Sequence, residues 1–101
     1  MTLQQVIDYL QTQDPDYVAP LGLGKPDSYR GSYNELAFAP QEAISVRQML
    51  TNARMAMGTV YYGYKGGYYE MGPSTPVHLA DWGECGEEIG PVFLKYICGE
   101  L

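Results

Sequence analysis

The spacing of apolar residues marks out two helices. Leu3, Val6, Ile7 and Leu10 recur at i, i+3, i+4 and i+7, one face of a helix over residues 2–13. Thr2 and Gln5 supply a capping box at its start, each side chain reaching the other's backbone N–H. Asp14-Pro15 ends it, because the residue before a proline is pushed out of helical geometry. A second run, Val46, Met49, Leu50, Ala53 and Met57, predicts a helix over about 45–57. Ser45 and Gln48 form its capping box, and Ile44 and Met49 hold the hydrophobic-staple positions. Gly58 stands where such a helix stops.

Elsewhere the pattern shortens to strands and turns. Residues 15–28 are rich in Pro, Gly and Asp, with a short extended piece at Leu21–Pro26 followed by a turn. Residues 34–39 alternate as a strand with Leu36 and Phe38 inward, closed by Pro40. From Thr59 to Trp82 tyrosine-rich strands follow. Val60, Tyr62 and Tyr64 alternate up to a Gly66-Gly67 turn, and Tyr68–Met71 and Val77–Asp81 read as the arms of a hairpin. Glycine-rich loop follows to residue 90. Pro91 to Cys98 reads as a short helix, with Pro91 at N1 and Gly99 past its end, or as a strand. The sum is one α+β domain over 1–101, with a small antiparallel sheet and two to three helices.

Composition narrows the function classes. A chain of 101 residues holds one core and buries only about two-thirds of its unfolded surface, so oligomerisation is a common source of further stability. Twelve acidic against six basic residues give a net charge of −6, which disfavours DNA or RNA as partner. No apolar run is long enough to span a membrane and no leader pattern is visible, so the expectation is a soluble intracellular protein. The sole histidine, His78, and the two cysteines, Cys85 and Cys98, lack zinc-site spacing. His78 has no nucleophile motif beside it, and a plain sheet-face role accounts for it. Gly22-Leu23-Gly24-Lys25 lacks the spacing of a phosphate loop. The expectation is therefore a non-enzymatic protein without metal or cofactor.

The remaining signals point to binding. Tyr29-Arg30-Gly31-Ser32-Tyr33 sets a cation between two aromatic rings, beside a glycine that lets a ligand approach the backbone. A guanidinium grips phosphate in bidentate fashion and a tyrosine face stacks on a base. A structural arginine bonding loop carbonyls, with both rings packed on the core, accounts for the segment equally well. Tyr64-Lys65-Gly66-Gly67 repeats the theme, against the simpler reading of a tyrosine-rich strand pair. Trp82 offers an indole for stacking or a core anchor for its loop. Arg47 and Arg54 flank the apolar face of the second helix and would line a subunit seam if that face met another copy.

Three stretches carry a resemblance. They are Pro26-Asp27-Ser28-Tyr29-Arg30-Gly31-x-Tyr33-x-x-Leu36-Ala37-Phe38-x-Pro40, Gly58-Thr59-x-Tyr61-x-Gly63-Tyr64-Lys65-Gly66-Gly67 and Gly86-Glu87-x-Ile89-Gly90-Pro91. Together, over roughly residues 20–95, they resemble a family of small bacteriophage proteins that includes the first type of Thoeris anti-defence protein. That resemblance implies a sponge acting in the cytoplasm of the infected bacterial host. It would sequester a cyclic ADP-ribose isomer, or a cyclic oligonucleotide, without degrading it. It also implies a homo-oligomer with ligand pockets between subunits. Arg30, Tyr29 and Tyr33 would be the leading contacts, with Lys65, Tyr64, Arg54 and Trp82 secondary. The competing expectation is a phage-encoded inhibitor that binds a host protein through its acidic, tyrosine-rich surface.

Overall fold

A computed structural model of the chain describes the backbone over residues 1–29, 32–62, 68–81 and 84–100, and side chains over 1–27, 35–61, 68–80 and 88–100. Helix α1 (Leu3–Gln11) is followed by strands β1 (Val18–Tyr29) and β2 (Ser32–Ser45) and helix α2 (Val46–Ala56). Strands β3 (Val60–Tyr62), β4 (Tyr68–Glu70), β5 (Val77–Asp81) and β6 (Glu84–Glu88) and helix α3 (Pro91–Ile97) complete an α+β domain. Among the described residues, four strands form one sheet in the order β1-β2-β5-β6, and β3 and β4 form a separate pair. The sheet is mixed: β1–β2 and β5–β6 are antiparallel, but β2 and β5 run parallel through Leu36↔Val77, Ala37↔His78 and Phe38↔Leu79. That parallel seam departs from the all-antiparallel expectation.

Local signals place the helices. The Thr2–Gln5 capping box forms in both directions, with Thr2 N–H to Gln5 Oε1 at 2.9 Å and Gln5 N–H to Thr2 Oγ1 at 3.3 Å. The α1 N–H groups of Leu3 and Gln4 donate to Thr75 O and Pro73 O, so the helix start is docked on the 71–76 segment. Ser45 caps α2 by accepting from Gln48 N–H at 3.1 Å. Only half of that box forms, because the Gln48 amide donates to Asn52 Oδ1 instead. Gly58 (φ 80°) and Gly99 (φ 76°) supply the left-handed residues past α2 and α3, and Pro91 occupies N1 of α3. The strand alternative for 91–98 is thereby replaced by a helix.

The strands differ more from the sequence expectation. β1 is a 12-residue strand, not a short piece and a turn, and it tolerates Pro20 and Pro26 because it lies at the sheet edge. Pro40 does not close β2, which runs on to Ser45; the seam with β5 ends at Phe38, so a proline beyond it breaks no bond to β5. Tyr68–Glu70 pairs with Val60–Tyr62, not with Val77–Asp81. The 71–76 segment serves as the seat of α1 and not as a hairpin turn, which frees Val77–Asp81 to join β2. Glu84–Glu88, expected as loop, is a strand against β5.

Leu36, Phe38 and Val77 of the sheet share one core with Leu3, Val6 and Leu10 of α1, Met49 and Ala53 of α2, and Leu94 of α3. Val46, Met49, Ala53 and Ala56 of α2 are therefore buried inside the chain. Arg47 turns outward to pair with Asp16 at 2.9 Å. At this exposed site the pair contributes little.

Candidate functional site

Successive contacts along β1 fix the direction taken by α2 and the strand after it. Val46 N–H donates to Tyr17 O (2.8 Å), and Met49 packs over Gly22. Asn52 Nδ2 donates to Leu23 O (3.0 Å), and beyond the helix Tyr61 Oη donates to Pro26 O (3.3 Å). Helix α2 and strand β3 thus travel along β1 toward its Tyr29 end. In consequence Tyr29 and Ser32, which end the β1–β2 hairpin, and Tyr62 and Tyr68, which end β3–β4, lie toward the same end of the fold. Arg30 falls between the first two and Tyr64 and Lys65 between the second.

Arg30, Tyr64, Lys65 and Trp82 themselves lie outside the described residues. Tyr29 and Tyr33 are placed by their backbones in β1 and β2, and their side chains also lie outside the described set. Trp82 follows β5, whose Leu79 is level with Phe38, six residues along β2 from Ser32. At about 3.3 Å per residue that is roughly 20 Å from the hairpin end. Within one chain, then, β5 runs away from the hairpin end. Arg54 is exposed in the last turn of α2, where a cation also complements the helix dipole. It has no ion-pair partner among the described residues.

Two further contacts bear on how these strands are held. Tyr61 is half-buried with its hydroxyl on the β1 backbone; burial first, and the nearby Asp27 charge second, raise its phenol above the ordinary range. It is a packing residue that seats β3 on β1. The second is a pair across the seam: His78 Nε2 lies 3.0 Å from Glu35 Oε1. His78 is 8% exposed and sits in a row of registered neighbours, Asp27↔Ala37↔His78↔Glu88, crossing all four strands. Glu88 in turn lies 3.5 Å from the Met1 amino group. Alternation opposite Leu36 and Phe38 could have put Glu35 on this face; its partner required the β2–β5 pairing, which no local signal announces.

The charge balance here is demanding. Asp27, Glu35 and Glu88 bring negative charge to this face, so an anionic ligand at the hairpin ends would depend on Arg30 and Lys65. Among the described residues no group of His, Cys, Asp and Glu is arranged to hold a metal ion. No helix among them is long and apolar enough to cross a membrane. Compared with known protein families, curated proteins and solved structures, the chain matches none of them.

Proposed function

We propose that the protein binds a cyclic nucleotide signal, a cyclic ADP-ribose isomer by the sequence resemblance, and holds it without turnover. On this reading it is a phage anti-defence sponge in the host cytoplasm, assembled as a homo-oligomer. The observation that carries the reading is the common direction of the two hairpins. Their ends bracket Arg30 and Lys65, the two cations that the sequence sets among aromatics and glycines. A phosphate ligand in so acidic a chain needs cations gathered in one place, and stacking rings beside them suit its base. A second reading, direct binding to a host protein, draws on α3. Val92 and Tyr96 stand one turn apart there, 70% and 71% exposed.

Incubation of the protein with a cyclic ADP-ribose isomer, followed by heat denaturation and chromatography of the supernatant, tests the proposal. The expected outcome is intact ligand recovered in proportion to protein. Arg30→Ala should bind about tenfold to a hundredfold more weakly, the usual contribution of a charge-assisted hydrogen bond, with the thermal transition of the free protein unchanged. Recovery of a linear product would make the protein an enzyme. A folded Arg30→Ala variant that binds as tightly as the parent would remove Arg30 from the site.

A further inference from the structure

We infer that Glu35 and His78 form a strut that fixes the distal end of the β1–β2 hairpin, and that they are positioning residues for the ligand bound at that end. The binding half of this statement rests on the reading above; the mechanical half does not. After a first register shift between Leu23 and Pro26 the hairpin pairs evenly from Pro26↔Phe38 to Ser28↔Leu36, and the next register pair is Tyr29↔Ser32. Three residues of β2, Tyr33, Asn34 and Glu35, therefore have no counterpart on β1. On the other flank, β5 begins at Val77, level with Leu36, so β2 overhangs the sheet from Glu35 outward. Backbone pairing consequently stops being regular on both sides of β2 at the same point. Among the described residues, the Leu36 N–H bond to Pro76 O (3.0 Å) is the outermost backbone tie on the β5 side.

Glu35 is the first residue of the overhang, and its carboxylate reaches back 3.0 Å to the imidazole on β5. The anchor is rigid. His78 is 8% exposed, its neighbours Val77 and Ala37 are buried, and it is paired in register on both sides, to Ala37 and Glu88. A hydrogen bond from a fixed, buried donor to the base of an irregular extension limits how far that extension swings. The ligand proposed above would meet a hairpin held at this point.

Amide hydrogen exchange on the ligand-free full chain separates this role from general stabilisation. Glu35→Ala removes the acceptor, and His78→Asn shortens the donor out of reach. His78→Gln carries an N–H at about the distance of Nε2 and should restore the tie. In Glu35→Ala and His78→Asn, amides of residues 26–36 should exchange about tenfold faster. Those of 18–23 and 40–45 on the same two strands should keep parental rates, and His78→Gln should stay near the parent throughout. Equal acceleration along both strands, or none, would overturn the strut. Affinity for a cyclic ADP-ribose isomer should fall in the same two variants and recover in His78→Gln. Should the parent bind no nucleotide, the binding reading fails, and exchange alone decides the strut.

Discussion

Cys98 shows how a single buried group ties stability to solution conditions. Its side chain is in the core cluster, 6% exposed, and burial first, with the Glu100 charge second, pushes the thiol from 9.0 up to about 11. Tyr9 is raised as well, by burial and then by Glu100. Both groups are neutral when protonated, so the folded chain keeps protons that the unfolded chain gives up. The Cys98 contribution is fully present below pH 9 and is lost as pH climbs through 11. Urea midpoints measured from about pH 7.5 to 10.5 should be level at first and then fall, and Cys98→Ala should fall less steeply. In the native protein at about pH 8, Cys98 should resist alkylation, read by peptide mass spectrometry, because both the thiolate fraction and access are low. Rising stability above about pH 9 would contradict the burial of a protonated thiol.

At the scale of elements, the seat of α2 on β1 is closely packed. A Cβ at Gly22 would come within 2.7 Å of both Ile44 Cγ2 and Met49 Sδ, the two staple residues. The methionine can yield but Ile44, 2% exposed in β2, has little room. Gly22→Ala should therefore lower unfolding free energy by about 1–3 kcal/mol, measured by urea denaturation. A stability equal to the parent would mean that α2 shifts without cost. This contact also marks the boundary of what is legible in the sequence. The Thr2 and Ser45 caps, Pro91 at N1 and the stops at Gly58 and Gly99 depend on the local chain, so short-range patterns announce them. The seam of Leu36–Phe38 with Val77–Leu79 joins segments about forty residues apart, and nothing in either tells it to pair in parallel. The proline-rich β1 reads as turn because its edge position, which excuses Pro20 and Pro26, is itself a tertiary fact. The site is legible only as chemistry: Arg30 and Lys65 stand out beside tyrosine and glycine. The common direction of the hairpins that carry them comes from α2 lying along β1.

For the whole molecule, the arrangement is asymmetric. The helices and the four-stranded sheet hold one core, while the β1–β2 hairpin extends past β5 and β3–β4 travels beside it. The long axis of the fold, 40 Å against 26 and 19 Å, matches such an extension. A protein of net charge −6 attracts an anion only where cations are concentrated, and in the sequence Arg30 lies between β1 and β2 and Lys65 between β3 and β4. Selection of a cyclic nucleotide by the native fold is tested most directly by a thermal-shift screen. The panel holds cyclic ADP-ribose isomers and cyclic di- and trinucleotides, with linear ADP-ribose and AMP beside them. A ligand that binds only the native state adds about 2.7 kcal/mol at a hundredfold excess over its dissociation constant, a shift of several degrees for a domain this size. That shift should appear with a cyclic ligand and be absent with the linear controls. An unmoved transition across the whole panel would contradict nucleotide binding, and would turn attention to a host protein as the partner.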